Sequence, residues 1–102
     1  MDRTVMLQEI LAQNPNDSFA RYGLAMEYAT RGDNESALNE FARLLAANPD
    51  YTAAYQMSAQ VLIKAGREGE ARKMLDEGIK CAIRTKNQHA RSEMAGMLDE
   101  LR

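Results

Sequence analysis

Leu45-Ala46-Ala47-Asn48-Pro49 restates Leu11-Ala12-Gln13-Asn14-Pro15, and the interval between them carries further marks at the same offset, with Ala25, Gly32 and Ala37 returning as Ala59, Gly66 and Ala71. A fixed offset of about 20 to 50 residues marks a solenoid, whose units bury their apolar faces by stacking on a neighbour. Each Asn-Pro ends a helix, because the residue before a proline is pushed out of the α region. Each of the two glycines ends another, because a helix C-terminus commonly needs a left-handed residue.

Outward from these stops, the sequence predicts helices over about 3–13, 18–31, 35–47, 51–65, 68–84 and 88–101. Asn16 or Asp17 caps the second, and Asp33 or Asn34 the third. In the first, Met6, Leu7, Ile10 and Leu11 fall within a roughly 140° arc and are expected to form one buried face, with Val5 off that arc. The period fails at Ile83, which stands where a third proline would fall, so the fifth helix is expected to stop softly at Thr85-Lys86-Asn87. In the last helix Met94, Met97, Leu98 and Leu101 form a roughly 100° stripe, with Glu93, Asp99, Glu100 and Arg102 outside it, as a terminal cap requires. No window alternates polar with apolar residues for long enough to make a strand. The expectation is an all-α superhelix of about six antiparallel helices in a single domain over residues 1–102. Its parts are a half-repeat helix (1–15), repeats at 18–51 and 52–85, and a capping helix (86–102). The first helix is the open end, and Val5 on its outward side points to a homodimer through that end.

Hydrophobic residues at 45% and charged residues at 27% are ordinary for a soluble domain, and no apolar run approaches the roughly 20 residues of a membrane helix. Met1-Asp2-Arg3-Thr4 lacks the basic start and long apolar stretch of a signal peptide, and a lone cysteine, Cys81, suits a reducing compartment; a cytoplasmic location is expected. The net charge of -2 hides an asymmetry: residues 1–51 hold 4 basic and 8 acidic side chains, residues 52–102 hold 9 and 7. Between Gly78 and Ser92, Lys80, Arg84, Lys86 and Arg91 occur with no acid, which is either a solvated face or an anion contact.

No catalytic or cofactor motif emerges. Gly66-Arg67-Glu68-Gly69 is explained by a helix turn rather than a phosphate loop. His89, the single histidine, has basic rather than acidic neighbours and builds neither a metal site nor a nucleophile–base pair with Cys81. Asp76-Glu77 and Asp99-Glu100 are adjacent in sequence, so on a helix they point in different directions and make no acid–base couple. Neither an enzyme nor a cofactor or metal is expected.

The residues resemble the tetratricopeptide repeat (TPR), a 34-residue helix-turn-helix with the pattern W-x2-L-G-x2-Y, then A-x3-F, then P. Arg21-x2-Leu24-Ala25-x2-Tyr28, Ala37-x3-Phe41 and Pro49 keep every spacing over 18–51; Tyr55-x2-Ser58-Ala59-x2-Leu62 and Ala71-x3-Leu75 form a weaker second match that lacks the closing proline. Arg21 replaces the large aromatic, Leu44 takes a place usually held by a small residue, and Ser58 replaces a core leucine. Small residues at 25, 37, 59 and 71 are expected to let paired helices approach while Leu24, Tyr28 and Phe41 fill the space beside them.

The resemblance implies a noncatalytic module, an adaptor or scaffold that takes a peptide or helix in a concave groove. The matching groove places are Phe19, Tyr22, Met26 and Ala29, then Ala53, Gln56, Gln60 and Ile63. Chaperone-binding members hold a terminal carboxylate with a clamp of lysine, asparagine and arginine. Here Tyr22, Met26 and Met57 stand at matching positions and only Arg91, on the cap helix, keeps the type, so heat-shock chaperone tails are not expected. The expected partner is thus another protein, with membrane excluded and nucleic acid disfavoured. The alternative is an anion-directed binder of acidic protein or nucleic acid through residues 80–91.

Overall fold

Asn-Pro and glycine stops, together with a turn at Thr85-Lys86-Asn87, divide the chain into six helices in the computed structural model, which describes residues 2–101: α1 (Arg3–Gln13), α2 (Ser18–Thr30), α3 (Asn34–Ala47), α4 (Thr52–Lys64), α5 (Glu68–Arg84) and α6 (Gln88–Glu100). Among these residues there is no strand, and no helix is long and apolar enough to cross a membrane. The fold is an all-α helical repeat, and its helix ends lie within a residue of those expected.

The caps follow from local chemistry. Asp2, Asp17, Asp33 and Asn87 each accept a bond from a backbone N–H in the first turn of the helix that follows, which satisfies a donor the helix leaves open. Asn14 and Asn48 end α1 and α3 with φ of -138° and -141°, outside the α region from which the following prolines exclude them. Gly32 and Gly66 take φ of +79° and +77° after α2 and α4. Where Ile83 replaces the proline, α5 runs on to 17 residues and closes through Lys86 at φ +59°.

The chain divides into two compact units, Met1–Asn48 and Pro49–Arg102. In the first, α1 and α3 each pack on α2. Leu7 and Leu11 meet Ala20 and Leu24 with Tyr28 beside them, while Ala25, Ala37, Phe41 and Leu44 are buried. Burying a side chain of the Phe or Leu class contributes about 1.5 to 3 kcal/mol. The buried strip of α1 is narrower than expected. It consists of Thr4, Leu7 and Leu11, whereas Met6 and Ile10 are 47% and 43% exposed, like Val5 at 43%. They turn away from α2, the helix on which α1 packs.

In the second unit α5 packs on α4 and α6. Ala59, Leu75, Ala82, Ala90 and Met94 form the core, joined by Tyr55, Met74, Ile79 and the half-buried Met97, Leu98 and Leu101 of the cap. Gly78 is the closest point. A Cβ there would lie 2.5 Å from Met94 Sδ and 2.7 Å from Tyr55 Cβ, so the absence of a side chain on α5 lets α4 and α6 meet it.

Candidate interaction faces

The outward face of α2 follows from helical spacing. Phe19, Tyr22, Met26 and Ala29 lie within a roughly 80° arc, opposite the buried Leu24 and Tyr28 side. Phe19 is 77% exposed, by far the most exposed large hydrophobic among the described residues. Tyr22 is half-buried because its ring stands edge-on to Phe41 of α3, with centroids 6.0 Å apart. Met26 is half-buried beside it. The four expected residues of this repeat therefore share one face, with Tyr22 seated on the core and Phe19 projecting into solvent.

On α4 the same register presents Ala53, Gln56, Gln60 and Ile63, of which Gln60 and Ala53 are exposed and Gln56 and Ile63 half-buried. This face is amide-rich and lacks an aromatic. Arg91 is exposed on α6.

A polar feature that sequence reasoning missed lies within the first unit. Arg21 is buried, and its guanidinium donates from Nη1 to Glu40 Oε1 at 2.6 Å and from Nη2 to the Pro15 carbonyl at 2.9 Å. The two side chains are only 10% and 14% exposed, so this pair sits in a weakly screened environment. It floors a cleft of about 390 Å3 walled by Gln8, Leu11, Tyr28 and Arg43. Gln8 Nε2 donates to the Tyr28 hydroxyl at 3.3 Å, and Arg43 approaches Glu40 at 3.8 Å. The signal available in sequence was the spacing: Arg21 at the aromatic position, and Glu40 immediately before Phe41.

The basic segment is partly occupied by its own unit. Arg84 Nε donates to Asp50 Oδ1 at 2.8 Å and its Nη2 reaches the Pro49 carbonyl, while Lys80 lies 3.6 Å from Glu77. Asp50 keeps the Arg84 guanidinium pKa above its ordinary value. His89 is exposed and stands 3.3 Å from Glu93. Cys81 is buried, with its sulfur 3.4 Å from Thr52 Oγ1. Among the described residues no three His, Cys, Asp or Glu side chains converge as metal ligands.

Family models described as tetratricopeptide repeat match residues 28–82 and 2–51. A TPR repeat-containing protein of Pseudomonas aeruginosa is 27% identical over 95 residues, which span 93% of this chain and 90% of that protein. Among solved structures, a tetratricopeptide repeat domain protein from Salinibacter ruber superposes with a TM-score of 0.81 at 27% identity, over 86% of this chain and 89% of the other. A Bordetella parapertussis protein superposes at 0.86 and 25% identity, over 99% and 88%. The Yersinia enterocolitica type III secretion translocator chaperone SycD superposes at 0.88 over 96% and 75%, but at 15% identity it is similar in fold alone.

Proposed function

Because this chain belongs to the tetratricopeptide repeat family, we propose that it is a noncatalytic adaptor or scaffold of the cytoplasm that binds a peptide or helix of another protein through the outward face of α2. The observation that carries the reading is Phe19, which holds a large apolar ring 77% in solvent on the same arc as Tyr22 and Met26. A ring in that position gains contact area when a partner covers it, and methionine beside it adapts to varied shapes. The amides of Gln56 and Gln60 on α4 offer donors and acceptors to a polar or backbone partner. The type III secretion chaperone lends the same fold to protein handling, and at its low identity it suggests no particular partner for this chain.

The test is a capture experiment with defined variants. Phe19→Asp and Met26→Ala should abolish the capture of proteins that the unchanged chain retains, with the helical circular dichroism signal intact. If every partner is retained by the folded variants, the α2 face is not the binding surface. Capture that falls steeply between low and physiological salt and survives Phe19→Asp would favour the basic segment at 80–91 instead.

A further inference from the structure

Position for position, α6 repeats the first helix of each full repeat once the offset is lengthened by two residues, where Ile83 replaces the proline and α5 runs on. Ala90-x3-Met94-Ala95 follows Ala20-x3-Leu24-Ala25 and Ala54-x3-Ser58-Ala59, and Arg91 stands where Arg21 and Tyr55 stand. Burial agrees at the first two places: Ala20, Ala54 and Ala90 are buried, as are Leu24, Ser58 and Met94. It parts at the third. Ala25 and Ala59 are fully buried on helices that α3 and α5 complete as pairs, whereas Ala95 is exposed and no helix among the described residues follows to cover it.

The reverse holds for α1, which keeps the register of a second helix. Met6 lies one period before Glu40 and two before Met74, and Ile10 one before Leu44. These counterparts are covered: Glu40 is held by Arg21, Met74 joins Tyr55 in one cluster, and Leu44 is buried. Met6 and Ile10 are open. Among the described residues there is thus one unmatched helix of each kind, and a repeat needs both to bury its faces.

We propose that α6 of one copy and α1 of a second copy complete each other as a repeat, in a head-to-tail contact. The repeats already present give the register, since Arg21 meets Glu40 and Tyr22 meets Phe41. The same antiparallel register sets Arg91 beside Met6, as Tyr55 shares its cluster with Met74, and turns Ile10 toward the start of α6. Ala95 falls level with Arg3, which stands where Ala37 and Ala71 do, and that guanidinium is drawn aside to Glu27 at 3.1 Å. Glu9 lies one period before Arg43, which shares a cleft with Arg21 in the first unit, so the pairing puts Glu9 on the corresponding cleft beside Arg91. Both are exposed, and neither side chain has a charged partner among the described residues. Opposite unpaired charges in matching places, beside an uncovered small residue, select this chain's own α6 over an unrelated helix. Because the two faces differ, each contact leaves another of each kind free. One helix pair buries well under about 800 Å2 per partner, so the contact is weak, with a dissociation constant on the order of 0.1 mM.

Sedimentation equilibrium of the full chain from roughly 10 μM to 1 mM tests this. The unchanged chain should gain mass with concentration, and Ile10→Glu on α1 or Ala95→Arg on α6 should each weaken self-association roughly tenfold or more. An equimolar mixture of these two variants should restore a dimer with the affinity of the unchanged contact, because one supplies an intact α6 and the other an intact α1. Glu9→Arg and Arg91→Glu should likewise weaken it singly and recover it when mixed. All four positions are exposed in the single chain, so circular dichroism should report an intact fold. A chain that stays monomeric throughout overturns the proposal, as does a mixture of Ile10→Glu and Ala95→Arg no heavier than either variant alone. Self-association that survives Ala95→Arg overturns it equally, since α6 would then take no part.

Discussion

The two units anchor the start of their repeats with the same bond made by different residues. Arg21 on α2 and Tyr55 on α4 occupy equivalent positions one period apart, and each donates to the carbonyl of the proline that precedes its helix, Arg21 to Pro15 at 2.9 Å and Tyr55 to Pro49 at 2.7 Å. Burial pushes the Tyr55 phenol pKa up, which keeps it a donor. What stands behind them diverges. Arg21 requires a buried anion and finds Glu40, whereas Tyr55 shares its cluster with Met74, the counterpart of Glu40 in the next repeat. A few positions on, Leu44 fills its site in the first unit, and Gly78 vacates the matching site in the second to admit Met94. The position thus holds a long donor that ties down the preceding turn in both units, a guanidinium in one and a phenol in the other.

The comparison can be broken most sharply at the charged pair. Glu40→Met should strand the Arg21 guanidinium and cost about 3 to 5 kcal/mol, because a buried charge without its partner keeps its full desolvation penalty. Arg21→Tyr with Glu40→Met transplants the second unit's pair into the first and should recover most of that loss in urea denaturation. If the single and double variants unfold at the same urea concentration, the equivalence of the two pairs fails. In the second unit, Gly78→Ala should lower stability by about 1 to 3 kcal/mol, since the new methyl meets Tyr55 Cβ as well as the more yielding Met94 sulfur. An unchanged thermal midpoint would mean that α6 does not seat as described.

Smaller effects sharpen the contrast. Ser58 stands where the first unit has Leu24, and its hydroxyl is buried without a hydrogen-bond partner among the described residues. Ser58→Ala should therefore raise stability by about 1 kcal/mol on removing the unmatched polar group, measured by the shift in urea midpoint. Lys86→Gly should add about 0.5 to 1 kcal/mol by relieving the left-handed backbone at the end of α5, with no matching gain at Gly32 or Gly66, where glycine is already present. The smallest effect concerns acid. Asp2, hydrogen-bonded by the Thr4 hydroxyl, Arg31 and the Thr4 N–H, has its pKa held down to about 2. A depressed carboxylate contributes stability that is fully present above its ordinary 3.8 and fades as the pH falls toward 2. Amide exchange should accordingly rise in α1 over that interval before it rises in α6, whose cap Asn87 does not titrate.

Helix ends were legible because each rests on a local rule: Asn-Pro, a left-handed glycine, an aspartate cap. The small residues at 25, 37, 59 and 71 were legible for the same reason as any repeat, and all four are fully buried. What escaped was pairwise. Arg21 reads as a departure until Glu40 is set beside it, and no local window contains both. Met6 and Ile10 lie on an apolar arc, yet an arc says only which residues share a face, and burial needs a neighbour that α1 has on one side alone. Of the face residues, Phe19, Tyr22 and Met26 do share an arc, but the division between the seated Tyr22 and the projecting Phe19 depends on Phe41, which sequence spacing does not place.

The fit of Met94 into the space left by Gly78 has a chemical corollary. Met94 is fully buried and its sulfur fills the room a methyl would need, so the added oxygen of a sulfoxide has no place there. An oxidant can reach that sulfur only when α6 lifts away, whereas Met6 is already half in solvent. Under mild peroxide the lag of Met94 behind Met6 is therefore a clock for the opening of the cap, and once Met94 is oxidised the cap cannot close on α5 as before.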